Sequence, residues 1–166
     1  MATQVLFRFD SRRAVDAWHS IDDVVMGGES ASRLRFDISG HAVFEGHVSL
    51  ESNGGFASVR SVPMDLGVAD ATCYVIELRG DSKRYKLNLR TDDAVDGVLY
   101  QTSFTPPAGA WVQQKLPITD FLPTFRGRSV SGAAPFDPGR VRQMGLLISD
   151  RQSGAFSLSL RSISAQ

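Results

Sequence analysis

The 166-residue chain carries 18 basic and 18 acidic residues, so its formal net charge is zero. This balance excludes a protein that binds nucleic acid or membrane surfaces through bulk charge alone. The hydrophobic fraction of 42% is enough for a full core, and the length predicts one domain over residues 1–166. Because Cys73 is the only cysteine, an internal disulfide and a cysteine metal cluster are excluded.

The N-terminal residues contain no apolar signal-peptide core. No run of the chain approaches the ~20 apolar residues that a membrane helix needs. We therefore expect a cytoplasmic protein without a membrane-inserted segment. Only three of the 18 basic residues are lysines, so 18 − 3 = 15 are arginines. Arginine suits bidentate contacts with carboxylates, although the base composition of the genome explains the same excess.

Apolar and polar residues alternate in about ten short segments, with turn signals between them. This pattern predicts strands, and their number and spacing favour a β-sandwich or barrel over a fold with βαβ units. A short helix is predicted at 12–18, capped by Asp10 or Ser11, and residues 125–137 are predicted to form an irregular loop. The predicted strands are 5–9, 33–38, 41–50, 56–62, 72–79, 83–91, 98–104, 111–117, 141–149 and 154–163, of which 141–149 is apolar enough to be central.

The segment 20–30 combines two adjacent carboxylates, Asp22 and Asp23, with the glycine pair Gly27 and Gly28. Neighbouring carboxylates in an extended segment point in opposite directions, so they do not form the opposed pair that glycoside hydrolysis requires. We interpret the segment as a structural clasp, in which the carboxylates cap the glycine turn. A second structural turn is predicted at 52–55, where Gly54 and Gly55 supply the backbone freedom.

No cofactor is predicted, although calcium binding through oxygen ligands from Asp10, Asp22 or Asp150 stays open as an alternative. The three histidines have no metal-ligand spacing, and His41 and His47 share a strand phase that predicts an exposed face. No nucleophile elbow and no phosphate-binding glycine loop is present in the sequence. An enzyme is therefore not predicted.

The polar phase of several successive predicted strands is rich in amides and arginines, which make planar and directional hydrogen bonds. If those strands are neighbours, one sheet has a face suited to recognition, and Arg60 extends it. The alternative is an ordinary solvated face, which would more often contain lysine and glutamate. The residues are Glu77 and Arg79, then Lys86, Asn88 and Arg90, then Gln101 and Ser103, and finally Gln113.

A set of motifs, in order along nearly the whole chain, resembles the complex I intermediate-associated protein 30 family. Glu29 departs from it, because the family usually has Val or Ile at this position. The motifs are 22–30 (DDVVMGGES), 44–46 (FEG), 53–60 (NGGFASVR), 79–81 (RGD) with 85–90 (YKLNLR), 100–101 (YQ) with Phe104, Trp111, Phe121 with 125–127 (FRG), and 154–156 (GAF).

The resemblance implies a galactose-binding-like jelly roll, in agreement with the predicted strands. It also implies a family whose mitochondrial members assist the assembly of respiratory complex I, while short stand-alone members are less understood. In jelly rolls of this type a concave sheet is the usual binding surface. Such a resemblance is stronger evidence for the fold of the chain than for its function.

Our first hypothesis is a non-catalytic binding module that acts as an assembly or accessory factor. Its partner would be a protein, such as a respiratory-complex subunit or assembly intermediate. The alternative is a carbohydrate-binding module that uses the same face, with Trp111 as the aromatic platform because it falls out of phase with its apolar neighbours. The recognition face is predicted to consist of Arg60, Arg79, Asn88, Arg90 and Gln101.

Overall fold

Two facing β-sheets build the protein in the computed structural model, which describes residues 3–22, 28–51, 55–92 and 97–166. Connections between the strands in these ranges include the short helix α1 (Arg12–Asp16) and the 3-10 turns Ile118–Asp120 and Pro138–Arg140. The strands are β1 (Gln4–Arg8), β2 (Trp18–Ser20), β3 (Ala31–Asp37), β4 (His41–Val48), β5 (Ala57–Ser61), β6 (Cys73–Arg79), β7 (Tyr85–Thr91), β8 (Leu99–Phe104), β9 (Trp111–Pro117), β10 (Leu122–Phe125), β11 (Arg128–Ser129), β12 (Val141–Ile148) and β13 (Gly154–Ala165).

The six-stranded sheet is built around β13, the longest strand. Its order is β3-β4-β13-β6-β9, and β1 also pairs with β13. The first part of β13 pairs with β4 and its last residues pair with β1, while β6 pairs with it from Ser159 to Ala165. A register shift between Leu160 and Ser162 in the β6 pairing increases the local twist of this strand.

The seven-stranded sheet has the order β11-β10-β8-β7-β12-β5-β2, and each of its neighbouring pairs is antiparallel. β12 lies between β7 and β5, so the central position predicted for this apolar strand is confirmed. Along β7 the buried residues Tyr85, Leu87 and Leu89 alternate with half-buried polar ones. This period-two pattern places one face of the sheet on the core and leaves the other face for contacts outside it.

The inner faces of the two sheets enclose one hydrophobic cluster. Side chains from opposite sheets meet there, as in the edge-on contact of Phe44 and Tyr85, whose ring centroids are 6.1 Å apart. Leu87, Met144 and Leu158 have no exposed surface. Each such burial stabilises the fold by about 1.5–3 kcal/mol relative to an exposed side chain. The all-β sandwich predicted from the sequence is therefore confirmed.

Several predicted elements differ from the observed ones. The described residues contain thirteen strands rather than about ten, because β2, β10 and β11 are too short to give an alternating pattern. The predicted loop 125–137 includes β11, which pairs with β10. The helix ends at Asp16 instead of 18, and Ser11 caps it without a side-chain hydrogen bond.

The most consequential difference concerns β6 and β7, which lie in different sheets. The segment between them crosses the edge of the sandwich instead of forming a hairpin. Asp81 fixes this crossing, because its carboxylate accepts hydrogen bonds from the Tyr85 hydroxyl at 2.9 and 3.0 Å and from the Ser157 amide at 2.9 Å. Burial raises the pKa of the Tyr85 hydroxyl, and the Asp81 charge adds to that effect, so Tyr85 stays a hydrogen-bond donor.

Candidate functional site

One row of side chains crosses the outer face of the seven-stranded sheet. The row is fixed by strand register, because residues directly opposite each other in antiparallel strands point to the same side. It includes three of the residues predicted from the sequence, which come from three different strands. In order across the sheet, the row is Leu122, Gln101, Asn88, Gly145, Arg60 and His19.

A second row lies beside the first, where Arg90 of β7 faces Gln143 of β12. Arg90 is two residues from Asn88 on the same strand, so both side chains are on the outer face. The structure thus brings together four predicted residues and adds Gln143. We call this set, Arg60, Asn88, Arg90, Gln101 and Gln143, the amide–arginine face.

A hollow opens in the middle of the amide–arginine face at Gly145. Its lining includes Arg60, Asn88, Arg90 and Gln143, together with the side chain of Leu99. The absence of a side chain at Gly145, between Asn88 and Arg60 in the row, creates the space. The hollow has a volume of about 30 Å³, which is room for roughly two water molecules.

The two guanidinium groups in the hollow are half-buried, and within the described part of the chain neither has a carboxylate partner. Burial lowers the pKa of Arg60. The pKa of Arg90 is lowered chiefly by burial and further by the positive charge of Arg60. Both groups stay charged at neutral pH, because the ordinary pKa of arginine is so high. Two like charges therefore share a partly desolvated site.

The amides of this face are oriented by hydrogen bonds. Gln101 donates from Nε2 to Asn88 Oδ1 at 2.7 Å, which leaves the Asn88 amide nitrogen facing away from Gln101. Gln143 donates from Nε2 to the Ser61 carbonyl at 2.8 Å. Arg90 makes one long contact, 3.5 Å, with the Gly97 carbonyl. Asn88 and Gln143, which line the hollow, are thus each held by a hydrogen bond.

Sequence reasoning missed Gln143, because the near-continuous apolar run 144–148 hides the alternation of this strand. The signal that could have identified Gln143 was its position in the period-two alternation of the strand. Gln143 and Gly145 alternate with the buried Met144, Leu146 and Ile148, so they share the outer face. A polar residue and a glycine on one side of a central strand indicate a functional surface there.

The prediction that Arg79 belongs to this face is wrong. Arg79 lies on β6 and Trp111 on β9, and both strands are in the six-stranded sheet. The two residues are directly opposite each other on its outer face. Together with His41 and Arg161 they form what we call the Trp111 cluster. In the Trp111 cluster the guanidinium carbons of Arg161 and Arg79 lie 3.9 and 5.1 Å from the indole centroid.

The Trp111 cluster also corrects the prediction that His41 is exposed. His41 points outward as its phase predicts, but it is only 6% exposed because it packs edge-on against Trp111, with ring centroids 5.2 Å apart. Burial lowers the pKa of His41, and the Asp37 carboxylate opposes this effect. The side chains of Arg79, Arg161 and His41 pack against the indole of Trp111. Trp111 therefore does not offer an open platform for a sugar ring.

Asp22 connects the two sheets. Its carboxylate accepts hydrogen bonds from the amide and hydroxyl of Ser32 on β3, at 2.9 and 2.5 Å, and from the Ser58 amide on β5, at 3.0 Å. These bonds support the structural interpretation of Asp22. Gly28 is buried, and Gly55 has a φ of +141°, a value that favours glycine. Asp23, Gly27 and Gly54 lie outside the described residues.

Within the described ranges, no group of three or more His, Cys, Asp or Glu side chains is arranged to hold a metal ion. Of the three aspartates considered for calcium, Asp22 is bonded as above and Asp150 pairs with Lys86 at 3.2 Å. In the same part of the chain, we find no helix with the length and apolarity to span a membrane.

Several solved structures with a similar fold are carbohydrate-binding modules, and others are agarases. The family 11 module of the Clostridium thermocellum cellulase Lic26A-Cel5E superposes with a TM-score of 0.71 over 99% of this chain and 94% of the module, at 14% identity. A point mutant of the CBM29-2 module gives a TM-score of 0.54 over 100% of this chain and 92% of that chain, at 10% identity. At such low identity these matches establish the jelly-roll fold and nothing about the ligand.

Two relatives are similar in sequence. An uncharacterized protein of Schizosaccharomyces pombe is 29% identical over 89% of this chain and 79% of its own length. The mitochondrial Complex I intermediate-associated protein 30 of Drosophila melanogaster is 25% identical over 95% of this chain, which spans 61% of that protein. The family model for Complex I intermediate-associated protein 30 matches residues 7–160. The chain therefore belongs to the Complex I intermediate-associated protein 30 family.

Proposed function

We propose that the protein is a non-catalytic binding module that serves as an assembly or accessory factor for respiratory complex I. The amide–arginine face would recognise a protein partner, a subunit or an assembly intermediate of that complex. The observation that carries this proposal is the pair Arg60 and Arg90, half-buried on an outer face without a carboxylate partner among the described residues. Membership in the family supports the assembly role.

Affinity capture from the native host tests this proposal. The tagged wild-type protein should retain subunits of NADH:ubiquinone oxidoreductase, and the double variant N88A/R90A should retain none above background. Both exchanges are on an outer face, so we expect little change in melting temperature. Capture of the same subunits by N88A/R90A would refute the role of this face. The predicted cytoplasmic location stays a prediction, and cell fractionation would check it.

A carbohydrate-binding module is the second candidate, and its support is the fold shared with the family 11 module, one structure of which contains a β-1,3-1,4-mixed-linked tetrasaccharide. The rows of the amide–arginine face contain polar and aliphatic side chains and no Trp, Tyr or Phe, whereas stacking on an aromatic ring is a strong contribution to sugar binding. Calorimetry with that tetrasaccharide and a glycan array separates the two functions. Absence of heat and of array signal would remove the carbohydrate function.

A further inference from the structure

Three donors converge on the hollow at Gly145 and have no carboxylate acceptor there among the described residues. They are the guanidinium groups of Arg60 and Arg90 and the amide nitrogen of Asn88. Lys86, two residues before Asn88 on the same strand, is different, because it pairs with Asp150 at 3.2 Å. The two arginines are half-buried and close enough for the charge of Arg60 to lower the pKa of Arg90. Among the described residues, the site therefore contains two positive charges and no negative one.

From this geometry we infer that the hollow is a binding site for one carboxylate group, the end of an acidic side chain on a protein partner. The inference rests on the proposed function and specifies the chemistry that the amide–arginine face selects. A carboxylate has two coplanar oxygens that match the planar donor fork of a guanidinium. Its negative charge offsets the repulsion between Arg60 and Arg90, and the Asn88 amide supplies one further donor.

The size of the hollow favours an acidic side chain over a larger anion. A volume of about 30 Å³ admits a carboxylate, whereas pockets for whole small molecules begin at roughly 300 Å³. A flexible side chain can place its carboxylate in the hollow while its backbone stays above the sheet. A sugar acid would have to bring its ring against the same lining, and the hollow has no room for a ring.

Apolar side chains on the same outer face suit the rest of a peptide. Leu99 forms part of the lining. Leu122, which is 60% exposed, ends the row of Gln101 and Asn88 on β10. Strands are spaced about 4.8 Å apart, so β10 lies roughly 14 Å from β12 across three strand spacings. This span lets an extended peptide place an acidic residue in the hollow and an apolar one over Leu122.

NMR titration of the full chain tests the inference, with the Arg Nε–Hε and Asn88 side-chain signals as reporters. The probe is N-acetylglutamate amide, and N-acetylglutamine amide of the same shape is the neutral control, both at constant ionic strength in chloride. We expect saturable shifts of Arg60, Arg90 and Asn88 with the glutamate probe and none with the glutamine probe. Equal responses to both probes, or none to either, would overturn the inference.

Two variants and two further anions sharpen the test. R90Q should weaken binding of the glutamate probe by about tenfold, since it removes a charge-assisted hydrogen bond. G145A should weaken it similarly by filling the hollow, since the added Cβ meets Val59 O at 3.1 Å and Arg60 Cβ at 3.5 Å. R79Q, on the other outer face, should leave it unchanged. Tighter binding of glucuronate or inorganic phosphate than of the glutamate probe would overturn the assignment to an acidic side chain.

The outcomes for this inference and for the proposed function can be told apart. Loss of partner capture by N88A/R90A without any response to the glutamate probe would keep the function and overturn the carboxylate site. A saturable response to the probe together with undiminished capture by N88A/R90A would keep the carboxylate site and overturn the function.

Discussion

The two outer faces of the sandwich both contain arginines, but their surroundings differ. On the six-stranded sheet Arg33 and Arg35 pair with Glu45 at 2.7 and 3.0 Å, and Arg161 pairs with Glu77 at 3.2 Å. On the seven-stranded sheet the two arginines of the hollow have no carboxylate partner among the described residues. A paired arginine stabilises its own surface modestly. An unpaired, half-buried arginine destabilises the free protein, and a ligand can recover that energy on binding.

The comparison separates a face whose arginines pair within the protein from one that we propose to bind a partner. In the Trp111 cluster the protein's own side chains pack against the indole, and His41 is buried as a result. The amide–arginine face keeps a hollow open at its centre. Substitutions on the first face should therefore change the free energy of unfolding, and those on the second should change binding.

The largest expected effect distinguishes two glycines, one in each sheet. At Gly46 on β4 an added Cβ would lie 2.1 Å from the Ala31 carbonyl oxygen and 2.8 Å from Ser32 Cα, both of them backbone atoms. G46A should lower the free energy of unfolding by about 4 kcal/mol, since β3 must move. G145A, with its nearest contact at 3.1 Å, should cost about 1 kcal/mol or less. Urea denaturation of both variants checks this, and equal losses would contradict it.

A smaller loss is expected where the two sheets are joined. D22A removes the acceptor for the Ser32 amide and hydroxyl and for the Ser58 amide. The unsatisfied donors should lower the free energy of unfolding by about 2–3 kcal/mol. Asp37, which accepts from Arg35 in its own strand and from the Ser39 amide in the exposed turn that follows, provides the control, and D37A should cost clearly less because its bonds are local to one turn. A D22A denaturation midpoint equal to that of the wild type would reopen a functional role for Asp22.

The smallest effect on stability is a pH dependence from the Trp111 cluster. Burial holds the pKa of His41 below its ordinary value near 6.5. The unfolded chain therefore takes up this proton first as the pH falls. Stability should be complete above pH ~6.5 and decrease as the pH drops toward the folded-state pKa. Urea midpoints at pH 7.5 and 5.5 should differ more for the wild type than for H41Q, and identical differences would refute the assignment.

The elements that could be predicted from the sequence are those with a strong local period. The segment predicted at 111–117 has the observed bounds of β9, and the alternation along β7 places Asn88 and Arg90 on an outer face correctly. The family motifs predict the jelly roll. In each case the pattern of neighbouring residues carries the information, and the core confirms it.

What could not be predicted depends on contacts between distant parts of the chain. The segment after Arg79 has the residues of a turn, and such a turn serves equally well for a hairpin or for a crossing between sheets. The observed crossing is held by contacts with distant residues, among them the bonds of Asp81 to Tyr85 and Ser157 and that of the Ser82 amide to the Pro106 carbonyl. The burial of His41 likewise depends on Trp111, which is 70 residues away in sequence. The periodicity of a strand shows which face of the sheet each residue lies on. It does not show which strands are neighbours.

The most direct test of the account is a quantitative partner capture with R90Q and R79Q side by side. The two variants remove the same charge from opposite faces of the sandwich. We predict that R90Q loses the partner while its melting temperature is unchanged or raised, because like-charge repulsion and desolvation are relieved. R79Q should keep the partner and melt at a slightly lower temperature, because its contact with Trp111 is lost. Retention of the partner by R90Q, or its loss in R79Q, would contradict the account.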